Sequence, residues 1–186
     1  FFLICWRIGW DLYTKLWAFS TFGYPKSPDD PQFLSEPWFA WLWGNHVLFI
    51  STHFNFGALW GLGQGWGAVF ATLSIIAGIG ITYWLFGCGA ARSKWLTVAL
   101  ALVMAGTLGN LFDRLGLHGL RNDQGEIIRG VRDFIYFRII NWPIFNFADS
   151  FLVTGAIMLV LQAFWQENQP RGVVITVPPA DGQIPA

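Results

Sequence analysis

Trp66-Gly67-Ala68-Val69-Phe70-Ala71-Thr72-Leu73-Ser74-Ile75-Ile76-Ala77-Gly78-Ile79-Gly80-Ile81-Thr82-Tyr83-Trp84-Leu85-Phe86-Gly87 is a run of 22 residues without a charge. A helix needs about 20 apolar residues to cross the hydrocarbon core of a bilayer, so this run reads as a membrane span. Three further runs join it. Trp95 to Phe112 is 18 residues without a charge, and Phe151 to Trp165 gains a turn from Asn146 to Ser150. Phe1 to about Phe22 is apolar but interrupted by Arg7, Asp11 and Lys15. Trp17, Trp66, Trp84, Trp95 and Trp165 fall near the ends of these runs, at the depth where an indole ring prefers to sit. The expected fold is an all-α membrane protein of four transmembrane helices.

Composition agrees. Of 186 residues, 54% are hydrophobic and only 12% charged, against about 25% charged in an ordinary soluble domain. Residues 1–165 are expected to form one membrane domain. The Pro-bearing stretch 166–186 is expected to be a flexible cytoplasmic tail. The balance of 11 basic against 11 acidic residues lacks the footprint of a nucleic-acid binder. Cys5 and Cys88, in or beside apolar runs, read as small buried hydrophobes. Phe1-Phe2-Leu3-Ile4-Cys5 has no Met and no basic n-region, which does not fit a cleaved signal peptide. The numbering is expected to start inside a truncated first helix.

The link Cys88 to Lys94 carries Arg92 and Lys94 and no acid, so the positive-inside rule assigns it to the cytoplasm. Gly23–Gly65 and Leu115–Pro143 then lie outside, and both termini inside. Gly44 to Phe56 alternates and is rich in Val, Phe, Ile and Thr, which predicts a small extracytoplasmic β-rich segment. Glu36 to Trp43 is aromatic enough to lie on the membrane surface. Gly61-Leu62-Gly63-Gln64-Gly65 reads as a flexible connection. Leu115 to Arg132 is polar, with a turn at Asn122-Asp123-Gln124-Gly125, and predicts a second extracytoplasmic loop or helix.

Ionisable groups at the edges of membrane spans are costly and therefore candidate functional groups. Asp11 and Lys15, four apart, share a helix face and read as a structural ion pair or a substrate contact. Asn110, Asp113 and Arg114 end the third span, either as a polar-locked helix end or as contacts to a substrate. Asn146 and Asp149 have the spacing of a capping box, which needs no chemistry by itself. Asp133 arriving from the same side of the membrane turns that reading toward a pair of carboxylates. His46, His53 and His118 match no metal-ligand motif, and neither a metal nor another cofactor is expected. A non-enzymatic four-span scaffold or binding protein stands as the alternative. A small transporter is a third reading, but the second span and most of the third lack the polar residues that line a path.

Taken in order, five elements resemble the lipoprotein signal peptidase, or signal peptidase II, family. Asp11-Leu12-Tyr13-Thr14-Lys15 is similar to its Asp-x-x-Thr-Lys, and His53-Phe54-Asn55-Phe56-Gly57-Ala58 to its Asn-x-Gly-Ala element. Gly109-Asn110-Leu111-Phe112-Asp113-Arg114 matches Gly-Asn-x-x-Asp-Arg, and Val131-Arg132-Asp133-Phe134 resembles Val-Val-Asp-Phe. Phe145-Asn146-Phe147-Ala148-Asp149-Ser150 matches Phe-Asn-x-Ala-Asp-Ser. The resemblance implies an aspartic endopeptidase of the bacterial inner membrane that needs no cofactor. It would cut diacylglyceryl-modified prolipoproteins just before the lipidated Cys, among membrane lipids, and be inhibited by globomycin-type compounds. By motif the catalytic pair falls on Asp133 and Asp149, at the extracytoplasmic side. Asn55, Gly57, Asn110, Asp113, Arg114, Asn146 and Ala148 fall on substrate-binding or supporting positions. Two departures stand out: about ten extra residues near Gly116 to Ile127, and Arg132 where an aliphatic residue is typical.

Overall fold

The computed structural model describes residues 2–23, 32–33, 47–57, 62–140 and 142–167. Its helices are α1 (Phe2–Phe22), α2 (Gly67–Phe86), α3 (Lys94–Arg114) and α4 (Phe147–Glu167), and its strands are β1 (Gln32–Phe33), β2 (Leu48–Asn55) and β3 (Val131–Phe137). The apolar runs set the helix bounds to within a few residues. Among the described residues three helices are long and apolar enough to cross a membrane: Gly67–Phe86, Lys94–Arg114 and Phe147–Trp165. The expected fourth, α1, has the length, but Arg7, Asp11 and Lys15 set it apart from those three.

Helix α3 is the centre of the bundle. It packs against α1, α2 and α4, and 61% of its span is buried against 11% for α2 and for α4. Its residues Ala99, Leu100, Ala101, Met104 and Ala105 are buried, most of them small enough for close helix approach. Gly155 of α4 meets it where a Cβ would come 2.8 Å from the Ala99 carbonyl oxygen and 2.7 Å from Val103. Trp95 Nε1 donates to the Met158 carbonyl at 2.9 Å and ties the other end of the pair. Helix α2 shows Leu73, Ile76, Ile79, Tyr83 and Phe86 on its surface, as expected of a helix whose solvent is hydrocarbon. The turn at residues 87–93 joins α2 to α3, with Ser93 capping Leu96 N–H at 3.3 Å.

The strands form an antiparallel sheet in the order β1-β2-β3. Leu48 pairs with Phe137 and Ile50 with Ile135, then the register slips by one, so that His53 faces Asp133 and Asn55 faces Val131. Such a bulge re-aims the side chains beyond it. A core of Ala18, Phe19, Ile50, Phe54 and Phe134 joins the second half of α1 to this sheet. The expected strand within Gly44 to Phe56 is therefore present over Leu48–Asn55, whereas β3 had no counterpart in the sequence reading.

Between α3 and β3 the chain forms a loop, not a helix. Asn122 Oδ1 accepts the backbone N–H of Gln124 and Glu126 at 3.1 and 2.8 Å, and Arg121 bridges to Ile127. Side-chain bonds of this kind compete with helix formation. Cys5 and Cys88 are exposed free thiols, contrary to their expected burial. Cys5 lies on an exposed face of α1, where an apolar surround removes the usual drive to bury it, and Cys88 lies in the short link after α2. The expectations for Glu36 to Trp43, His46 and Gly61, and for the tail beyond Glu167, lie outside the described residues.

Candidate active site

Three helices and two strands deliver the polar residues to one place. On α1, Asp11 and Lys15 are fully buried, with Lys15 Nζ 2.8 Å from Asp11 Oδ2. The same ammonium lies 3.1 Å from Asp113 Oδ2 and donates to Asn110 Oδ1 at 3.1 Å. Buried charges are tolerable only when paired in this way. Gly109 lets the helices meet here: a Cβ on it would lie 2.5 Å from Asp11 Oδ2 and 3.2 Å from the Ala148 methyl. Ala148 is itself fully buried, and its N–H donates to Asp11 Oδ1 at 2.9 Å.

The start of α4 is a capping box. Asp149 N–H donates to Asn146 Oδ1 at 3.0 Å, and Asn146 N–H donates to Asp149 Oδ2 at 3.1 Å. The capping geometry coexists with a wider network. Asn110 Nδ2 donates to the other Asp149 oxygen at 2.8 Å, and Asn146 Nδ2 reaches both Asn110 Oδ1 at 3.1 Å and Asp133 Oδ1 at 2.6 Å. Phe145 pairs with Ile135 through N–H···O bonds of 2.8 and 3.0 Å, which lays Asn146 beside β3. Asn146 thus touches both Asp133 and Asp149. The side chain of Asn55 also bonds Asp133, and its Oδ1 accepts the Gly57 N–H at 2.9 Å.

The two carboxyl groups differ in setting. Asp133 is 1% exposed, whereas Asp149 is half-buried at a helix N-terminus, whose dipole favours an anion. Burial, with the charge of Asp149 adding to it, pushes the Asp133 carboxyl well above the usual carboxylate range, against the opposing pull of Lys15 and the two amides. Asn146 joins the two groups, with its Nδ2 on Asp133 and its backbone N–H on Asp149.

Arg114 closes the rim. Its Nη2 donates to the Gly57 carbonyl at 3.3 Å, and its guanidinium lies 5.4 Å from the Phe70 ring centre. Asp113, by contrast, is saturated. Its Oδ1 accepts Arg132 Nε and Nη2 at 3.0 and 2.8 Å, and its Oδ2 accepts the Arg132 backbone N–H at 3.0 Å. Successive strand residues point to opposite faces, so Arg132 turns to Asp113 while Asp133 turns to Asn146. Sequence reasoning noticed Arg132 only as a departure and gave it no partner. Its one signal was a strong cation directly before a buried acid. His53 stands across the sheet from Asp133. His118 accepts the Leu120 N–H and leans on the Phe54 ring, where burial pushes its imidazole pKa down. Among the described residues no group of three or more His, Cys, Asp or Glu side chains has the arrangement of a metal site.

Comparison with known proteins identifies the family. A lipoprotein signal peptidase of Rhodopirellula baltica is 42% identical over 165 residues, covering 87% of this chain and 70% of the relative. One from Bacillus subtilis is 36% identical over 131 residues, covering 68% and 76%. A bacterial membrane enzyme solved by the in meso method at 2.3 Å superposes with a TM-score of 0.69 at 27% identity, over 92% of this chain and 90% of that one. The profile of the signal peptidase (SPase) II family matches residues 3–165, and with nearly the whole of the described fold inside that match, this chain belongs to the signal peptidase II family.

Proposed function

We propose that this protein is an aspartic endopeptidase that removes the signal peptide from diacylglyceryl-modified prolipoproteins, cutting immediately before the lipidated cysteine. One observation carries the reading: Asn146 hydrogen-bonds both Asp133 and Asp149, so a buried and a half-buried carboxyl group share one small polar site. In this mechanism Asp149 takes a proton from water while the water oxygen bonds to the scissile carbonyl carbon, and Asp133 gives its proton to the carbonyl oxygen. The resulting diol collapses. The C–N bond breaks, the amine leaves with the proton held on Asp149, and Asp133 recovers its own from a hydroxyl. Asn110 and Asn146 orient the pair, and Asn55, Gly57 and Arg114 contact the substrate backbone at the rim.

In the same reading α1 is a fourth span, its charges neutralised by α3 and β3, and the site opens on the extracytoplasmic face of the bacterial inner membrane with both termini in the cytoplasm. Membrane lipids surround the helices, and globomycin-type inhibitors compete at the site. An inactive scaffold has no use for two carboxyl groups gathered on one asparagine, one of them held above the usual carboxylate range by burial. The test is reconstitution with a lipidated prolipoprotein and mass spectrometry of the product. A new N-terminus at the lipidated cysteine is expected, and an uncut or differently cut substrate would remove the proposal.

A further inference from the structure

Asp11, Lys15, Asp113 and Arg132 form a buried chain of two acids and two bases. Arg132 holds it at both ends of one residue. Its backbone N–H binds one Asp113 oxygen, and two of its guanidinium donors bind the other. Three bonds to a single carboxylate on the rigid end of α3 fix the strand at the residue directly before Asp133. The chain also reaches the second carboxyl, because Lys15 holds Asn110, which donates to Asp149. With Arg132 the four charges sum to zero, and without it a negative charge on Asp113 stands uncompensated inside the protein.

We infer that Arg132 is a positioning residue for Asp133 that also keeps the buried cluster neutral, and so sets the alkaline limit of the reaction. The inference rests on the peptidase reading above. The charged and titratable groups around Asp133 are Lys15 on α1, His53 across the sheet on β2, Asp113 and Arg114 on α3, and Asp149 on α4. Of these, Lys15 is shared with Asp11 and Asp113, so its effect on Asp133 depends on how fully Asp113 is satisfied elsewhere. Arg132 supplies that satisfaction. A like charge nearby disfavours ionisation, and a geometric slip of the reacting group lowers turnover.

The test is the pH profile of turnover by the reconstituted full chain on a lipidated prolipoprotein. Arg132→Met is expected to lower kcat at least about tenfold with KM changed less than about threefold, because binding contacts are untouched. Its alkaline limb is expected to move to higher pH. Arg132→Lys keeps the charge but not the fork of donors, so the limb should return while kcat recovers only in part. Adding Asp113→Asn to Arg132→Met should also bring the limb back, since the stranded charge is gone. A limb that stays at its wild-type position in Arg132→Met overturns the inference, leaving Arg132 as a structural brace that only lowers Tm. Should Arg132→Met fail to accumulate, Arg132→Lys decides: full kcat overturns the inference, reduced kcat with an unmoved limb upholds it. Asp133→Asn in the same assay separates the two levels. If it retains turnover the peptidase assignment of Asp133 falls, whereas if it is inactive and the limb of Arg132→Met stays put, only the role of Arg132 falls.

Discussion

The carboxyl of Asp133 is where burial and like charge act together, and its titration has two consequences. Burial, and then Asp149, raise its pKa above the ordinary value. A raised acid contributes its full stability below the ordinary carboxylate pKa and loses it as pH rises through the raised value. Thermal unfolding in detergent should therefore show Asp133→Asn more stable than wild type at alkaline pH, with the advantage shrinking toward acid pH. An advantage that grows toward acid would contradict the assigned direction. Asp113 provides the contrast. It accepts three bonds from Arg132 and pairs with Lys15, so Asp113→Asn strands buried cations and should destabilise the fold by about 3–5 kcal/mol, read as lost yield and lowered Tm. At this scale the sequence was partly legible. Asp133, Asp149 and their amides stand out because polar residues at span edges are rare. Arg132 does not, because its partner lies 19 residues away on a helix that turns back onto the strand.

The elements meet through small residues, and that makes them testable as elements. At Gly109 a Cβ would meet Asp11 and Ala148, so Gly109→Ala must push α1 or α4 away from α3. A cost of about 1–3 kcal/mol in stability is expected, with a loss of turnover approaching a hundredfold from a shift of about 1 Å at the site. Gly80, on the open face of α2, has nothing within 4 Å of its Cβ position. Gly80→Ala should be neutral or stabilise by up to about 1 kcal/mol, and equal effects of the two substitutions in a thermal-shift assay would refute the packing argument. The helices were legible because an apolar run of span length leaves little choice. Strand β3 was not: Val131-Arg132-Asp133 puts two charges into positions buried on both faces, and only pairing with β2, Asp113 and Asn146 makes such a strand tolerable. Of the loop or helix expected after α3 the chain takes the loop, for a local reason, the side-chain bonds of Asn122.

Across the whole molecule, the polar groups gather at one end of α3 and the basic link at the other. Helix α3 has 21 residues, about 30 Å at 1.5 Å per residue, enough to put Lys94 and Arg114 on opposite sides of a bilayer. With the exposed Cys5 and Cys88 replaced by Ala, a cysteine at Lys94 should label only from the cytoplasm and one at Asp123 only from outside. Labelling of both from one side would overturn the orientation. The orientation rests on charge asymmetry alone and stands on that labelling, while the joining of α1, α3, α4 and the sheet around Asn146 depends on contacts that no single segment announces. The central claim is that Asp133 and Asp149 work as one acid–base unit. Its most direct test is cleavage of a lipidated prolipoprotein by the reconstituted wild type, Asp133→Asn, Asp149→Asn and the double variant. Each single change should lower turnover by roughly 10³-fold or more, and the double should lose little beyond either single. Turnover within about tenfold of wild type in a well-folded Asp133→Asn or Asp149→Asn would contradict the account.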